Sequence, residues 1–244
     1  MQRIQTAGIV IIGNEILSGK VTDINSPYLC KELRFLGVEV ARVIVIPDEF
    51  DLIGETVRMF SEMFTWVFTS GGIGPTHDDL TVPAIAKGFG VELVECPEVR
   101  LALETYYQER LNKAILSMAM VPQGYSIFHQ GKMRTPQVYF RNVFIFPGIP
   151  ELLRNRFDEI KETFRGEPIH LKEIYLKVDE GEVAHFLHQI LEDYPDLLLG
   201  SYPSLWRKDY TLRLTLESKN LSMLEKAYHD LLQLLPVSPI PISS

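Results

Sequence analysis

A chain of 244 residues, 46% of them hydrophobic, can bury a sizeable core as one large domain or two unequal ones. Its formal net charge of -8 argues against nucleic-acid binding as the main task, because phosphate backbones call for a basic face. Two cysteines, Cys30 and Cys96, exclude both a disulfide framework and a zinc-ligand cluster, and no apolar run is long enough for a bilayer span.

The chain opens with Met1 to Gln5 leading straight into a strand, with no signal-peptide pattern, so a cytoplasmic location is expected. Ala7 to Ile12 is a continuous apolar run, the mark of a parallel strand covered on both faces. Gly13 to Lys20 then forms a loop at the strand's carboxyl end, where open α/β sheets bind ligands. Glu15 in that loop suits a metal or a ligand hydroxyl, or is simply an exposed acid. Thr22 to Pro27 opens a helix that runs to Leu36 and stops at Gly37, with Asp23 or Asn25 as its cap and Cys30 as a small buried residue within it.

Val38 to Ile46 is the second strand, Asp48 follows its carboxyl end as cap or ligand, and a helix covers about Asp51 to Met63. Thr65 to Phe68 reads as a third buried strand, leading into Gly71-Gly72-Ile73-Gly74-Pro75-Thr76-His77-Asp78-Asp79-Leu80-Thr81. A helix begins at Thr81, expected as its N-cap, with Pro83 in the first turn. Glycines there let backbone amides approach an anion, and the helix start adds partial positive charge. Asp78 and Asp79 repel a bare phosphate but suit one that arrives with a divalent metal. A solvated glycine turn is the plainer alternative. With right-handed crossovers, three strands deliver Glu15, Asp48 and Asp78/Asp79 toward one sheet edge.

Val91 to Val94 reads as a short strand and Pro97 to Lys113 as a long amphipathic helix. Met118 to Gly124 begins an irregular region holding His129, Lys132 and Arg134, which face substrate or solvent. Gln137 to Phe146 supplies two short strands or one bent one, then Phe146-Pro147-Gly148-Ile149-Pro150-Glu151 turns into a helix ending near Gly166. Gly148 allows a second close backbone approach, and Pro150 and Glu151 suit a helix's first turn. From about His170 the order becomes β-α-β-β-α, a small α+β domain with a partly antiparallel sheet. His185 and His188 have metal-ligand spacing but no acidic or cysteine partner, and read as surface residues. The expected division is 1–168, 169–236 and an extended tail at 237–244.

The segments Gly13-Asn14-Glu15-Ile16-Leu17-Ser18-Gly19, Thr22-Asp23-Ile24-Asn25, the glycine turn and Phe146 to Glu151 resemble the molybdopterin-binding-like domain of the CinA family. Gly148 to Leu153 and Leu199 to Pro203 look closest to the corresponding region of eukaryotic-type FAD synthases. The resemblance implies a three-layer α/β/α domain with a mostly parallel sheet, MogA/MoaB-like, and a small C-terminal α+β domain. The segment His129 to Pro136 departs from the Asn- and Gly-rich stretch of the CinA branch. Residues after 236 leave no room in this sequence for the nicotinamide-nucleotide deamidase domain of full CinA, and an adenylyltransferase domain is absent, so neither activity is expected.

What the resemblance implies instead is divalent-metal-dependent hydrolysis of a pyrophosphate bond in FAD or ADP-ribose, releasing AMP. Asp79 and Asp48 match the acids of molybdopterin adenylyltransferases and are the expected catalytic residues. Gly71, Gly72, Ile73, Gly74, Thr76 and Asn25, with Gly148, Pro150 and Glu151, are the expected substrate contacts. Asp78, Asp79 and Glu15 are the expected ligands of Co²⁺, Mn²⁺ or Mg²⁺. The partner is a nucleotide small molecule, with neither nucleic acid nor membrane, and self-association as a dimer or trimer. Adenylyl transfer onto molybdopterin and a non-catalytic nucleotide- or flavin-binding module are the alternatives.

Overall fold

Residues 5–128 and 135–241 are described by the computed structural model, so the expectations for His129, Lys132 and Arg134 lie outside it. The chain divides into two compact units, Met1–Gly166 and Glu167–Ser244.

In the first unit, β1 (Thr6–Ile12) carries seven residues with hardly a polar side chain, and six of them are buried. Alternate residues serve opposite faces. Ile9 and Ile11 join one core with Leu29, Leu33, Phe68, Phe146 and Phe157, whereas Val10 and Ile12 join another with Ile53, Val57, Phe60 and Ile85. After β1 come α1 (Asn14–Leu17), α2 (Asn25–Phe35), β2 (Glu39–Ile46), α3 (Phe50–Met63), β3 (Trp66–Ser70) and α4 (Thr81–Gly88). Helix α2 covers the first face, and α3 and α4 the second. The loop expected after β1 thus contains a single helical turn.

The rest of the unit holds β4 (Leu93–Glu95), α5 (Pro97–Tyr107), α6 (Lys113–Ser117), β5 (Met120–Pro122), β6 (Ser126–Phe128), β7 (Gln137–Phe140), β8 (Val143–Phe146) and α7 (Pro150–Ile160). The helix expected from Pro97 to Lys113 breaks instead. Gln108 takes a positive φ of 48° and a 3-10 turn follows over Gln108–Arg110. Asn112, extended, then accepts the amide of Ile115 at 3.0 Å and starts α6. An Asn side chain that can bond the backbone locally competes with helix continuation.

The main sheet has the order β2-β1-β3-β8-β7-β6. Strands β2, β1, β3 and β8 run parallel, so their carboxyl ends share one edge. Strand β7 returns antiparallel through Arg141 and Asn142, making two strands of the stretch Gln137–Phe146. The architecture is the three-layer α/β/α fold expected from the sequence.

The second unit contains β9 (His170–Leu176), α8 (Glu180–Asp193), β10 (Leu198–Pro203), β11 (Leu212–Ser218) and α9 (Leu221–Leu234). Its sheet, β10-β11-β9, is antiparallel throughout. Val183, Leu187 and Ile190 of α8 and Leu224, Ala227 and Leu231 of α9 pack against Ile174, Leu176, Leu212, Leu214 and Leu216. Helix α8 begins with a capping box between Asp179 and Glu182. His185 and His188 are exposed on it. No helix among the described residues is long and apolar enough to cross a membrane.

Candidate functional site

Strand β3 delivers the glycine turn to the carboxyl edge. Gly71 and Gly72 have φ of 110° and 64°, a region that L side chains rarely adopt. A Cβ at Gly71 would run into the Ile12 carbonyl oxygen, and one at Gly72 into the Thr81 hydroxyl. The turn is held from both sides. Gly71 N–H donates to the Phe146 carbonyl at 3.2 Å, Thr81 N–H to Gly72 at 3.0 Å, and the Thr81 hydroxyl to Gly71 at 2.8 Å.

Two expectations change here. Thr81 is the first residue of α4 rather than its cap, because its hydroxyl reaches back to Gly71. The Gly71 amide is occupied by Phe146, so it cannot also face a ligand. The amides of Gly72, Ile73 and Gly74 donate to no described residue, and the Gly72 carbonyl accepts the Thr81 amide at the start of α4.

Thr76 organises the two acids of the turn. Its amide donates to Asp79 Oδ2 at 2.8 Å, and its hydroxyl lies 2.5 Å from the same oxygen and 2.6 Å from Asp78 Oδ1. One hydroxyl proton serves one carboxylate at a time. The Thr76 hydroxyl, then a backbone bond, holds exposed Asp78 below the ordinary carboxylate range. Asp79 is half-buried, and a Cβ on Gly74 would stand 2.6 Å from its Oδ2, so the glycine lets the loop close on the acid.

The other two acids belong to the neighbouring strand ends. Asp48 Oδ2 accepts the Asn14 amide at 2.8 Å, while Gly13 N–H donates to Ile46 at 3.1 Å, which stitches the ends of β1 and β2 together. The carboxylate of exposed Glu15 folds over Gly13, where a Cβ would meet its Oε1 at 2.5 Å.

Among the described residues no three His, Cys, Asp or Glu side chains form a group able to hold a metal ion. The expected set of Asp78, Asp79 and Glu15 is therefore corrected. Thr76 draws the first two onto the glycine turn, and Glu15 stays with α1. The protein builds no three-acid cage among these residues. Asp78 and Asp79 as a pair suit a cation that keeps its waters and arrives on phosphates.

Two cavities open beside the turn. One, of about 230 Å³, includes Gly72, Gly74, Thr76 and Asp79 on its wall. It also brings in Met118, Met120 and Arg156, which the sequence reading did not single out. The other, of about 60 Å³, is lined by Glu15, Asp23, Asn25, Ser70, Gly148 and Pro150. Asp48 and Glu151 line neither of these cavities.

Asn25 ties the smaller cavity together. Its amide nitrogen donates to the Ser70 hydroxyl at 3.0 Å and to the Gly148 carbonyl at 2.7 Å, joining α2, β3 and the turn before α7. Its Oδ1 is buried with no partner. Asp23, not Asn25, does the capping, accepting the amides of Asn25 at 2.9 Å and Ser26 at 3.1 Å and the Ser26 hydroxyl. Gly148 packs against Gly71: a Cβ there would lie 3.4 Å from the Gly71 Cα, an ordinary contact distance. Pro150 begins α7 and exposed Glu151 stands in its first turn.

Arg156 did leave a trace in the sequence. It lies three residues after Leu153 and one before Phe157, beside the buried face of α7 formed by Leu153, Phe157 and Ile160. A charged residue in that position implies a polar task. Burial pulls its guanidinium below its ordinary range, and its side-chain partner is the Thr135 hydroxyl.

With this geometry in place, relatives can be compared. Residues 8–166 match the family described as "Probable molybdopterin binding domain", and residues 168–241 match "FAD synthase, middle domain". A protein of Archaeoglobus fulgidus is 35% identical over 80% of this chain and 84% of its own length. A probable FAD synthase of Caenorhabditis elegans is 30% identical over 96% of this chain, which spans only 51% of that protein. Among solved structures, CinA of Thermoplasma acidophilum, described as of unknown function, superposes with a TM-score of 0.61 at 28% identity. That match covers 66% of this chain and 98% of that one.

Proposed function

The chain belongs to the probable molybdopterin binding domain family, followed by an FAD synthase middle domain, and from that premise we propose a pyrophosphatase that cleaves FAD or ADP-ribose and releases AMP. One observation carries the reading. Ser70 lines the smaller cavity and Gly72 the larger, so two hollows flank a single turn whose amides from Gly72 to Gly74 donate to no described residue. A substrate with two ends joined by a pyrophosphate fits that plan, with its linker over the amides. The smaller hollow, with Glu15 and the free Oδ1 of Asn25, offers acceptors to sugar hydroxyls.

In the proposed reaction the amides of Gly72 to Gly74 bind the linker's oxygens and carry its developing negative charge. Asp79, fixed by the Thr76 amide, accepts a proton from the attacking water. The new P–O bond forms on one phosphorus, and the bridging oxygen leaves with the other. Asp78 and Asp79 are the residues that would hold a divalent cation brought by the substrate, which would neutralise phosphate charge. Asp48, bonded to Asn14, would act by fixing the β1 edge of the site.

The test is AMP release from FAD or ADP-ribose by pure protein with Co²⁺, Mn²⁺ or Mg²⁺. Asp79→Ala should remove it; no AMP with any metal, or equal AMP from the variant, defeats the proposal. The same free amides between the two hollows would also serve a second reading, a non-catalytic nucleotide- or flavin-binding module. Tight FAD binding without turnover would select it.

A further inference from the structure

We propose that Arg156 is the phosphate-gripping residue of the larger cavity and that Met118 and Met120 form the wall against which a planar heteroaromatic ring of the same ligand lies; the ligand's name rests on the pyrophosphatase reading.

Arg156 carries a charge into a partly buried wall where among the described residues no carboxylate answers it. Arg100, Arg165 and Arg213, by contrast, each meet a glutamate. Glu159, one turn further along α7, has a buried Oε2 with no partner and does not reach it. A desolvated cation without a counter-charge is costly, so the arrangement is stable when an anion enters from outside.

The Thr135 hydroxyl accepts from Arg156 Nη2 and fixes the plane of the guanidinium, which has five N–H groups in a rigid fork. The same cavity is lined by Gly72 and Gly74, whose amides donate to no described residue. Guanidinium and amide donors around one hollow suit the several oxygens of a phosphoryl group.

The remaining wall is of a different kind. Met118 and Met120, half-buried, stand with Val82, Val121, Val138 and Ile145. Thioethers are soft and contact aromatic rings favourably. At about 230 Å³ the cavity falls short of the ~300–1,000 Å³ of drug-sized ligand sites, so it takes one end of a dinucleotide and not the whole.

The experiment uses the full chain and calorimetry with inorganic pyrophosphate and ADP-ribose, on wild type, Arg156→Gln, Arg156→Lys and Met120→Ser. Arg156→Gln should weaken both ligands about ten-fold or more, with Arg156→Lys in between because it keeps the charge but loses the fork. The ligand-free melting temperature of Arg156→Gln should hold or rise, since an unanswered charge is removed. Met120→Ser should leave pyrophosphate binding unchanged and weaken ADP-ribose several-fold. Wild-type pyrophosphate affinity in Arg156→Gln overturns the proposal, as does a large fall in melting temperature in both Arg156 variants. Arg156-dependent pyrophosphate binding without AMP release keeps this inference and sinks the hydrolase. AMP release with unchanged KM in Arg156→Gln does the reverse.

Discussion

The two hollows beside the glycine turn differ in how their polar groups are used. In the smaller, the amide nitrogen of Asn25 and both oxygens of Asp23 bond to the protein, tying α2, β3 and the turn before α7 into one piece. In the larger, Arg156, Gly72 and Gly74 keep most of their donors free of the described residues, Thr76 and Asp79 add a polar edge, and much of the remaining wall is thioether and branched aliphatic. The first hollow is rigid where it is polar; the second leaves its charge unanswered. The difference separates Asp23 and the amide nitrogen of Asn25, which hold the site's shape, from Arg156, Gly72 and Gly74, whose donors are left for a ligand, and substitutions of the two kinds should fail differently.

The largest effect is expected at the turn that both hollows share. Gly71→Ala places a methyl against the Ile12 carbonyl at a φ unsuited to L residues, and should destabilise by about 2–4 kcal/mol in urea unfolding. Next comes Asn25→Ala, which removes two hydrogen bonds and leaves Ser70 and Gly148 short of a partner. It should lose about 1–3 kcal/mol of stability, the reverse of Arg156→Gln. Equal behaviour of the Asn25 and Arg156 variants would erase the distinction.

Smaller still is the effect of Thr76→Val on the acids. The Thr76 hydroxyl lowers the Asp78 carboxyl, so its stabilising share is present above the unfolded-state value and is lost as pH falls through the lower folded value. The variant should move the Asp78 titration up toward the ordinary range, followed by carboxyl NMR between about pH 2 and 6. An unmoved titration would remove Thr76 from its organising place. His188→Ala, on the exposed face of α8, should change stability by less than about 0.5 kcal/mol.

Much of this was legible in the sequence, for reasons that can be named. Short apolar runs such as Ala7 to Ile12, bounded by glycine, read as strands covered on both faces, the pattern of a parallel sheet whose carboxyl edge collects the loops. Gly71 and Gly72 were readable as positions that need glycine, and the structure gives the reason in positive φ and in the nearness of Ile12 and Thr81. What stayed hidden was which partner a short polar side chain takes. Thr81 could cap α4 or bond Gly71, and Asp78 and Asp79 could join Glu15 or turn onto Thr76. Such choices depend on loop geometry, not on residue type. The break after α5 at Gln108 was hidden too, because periodicity continues through it. Arg156 was readable only as a charge beside an apolar stripe.

The most direct measurement compares ADP-ribose with its halves, AMP and ribose 5-phosphate, by calorimetry on the wild-type chain. If the turn seats a linking pyrophosphate between two hollows, ADP-ribose should bind about ten-fold or more tightly than either half, and inorganic pyrophosphate should displace it. AMP binding as tightly as ADP-ribose, or pyrophosphate leaving ADP-ribose in place, would contradict that arrangement.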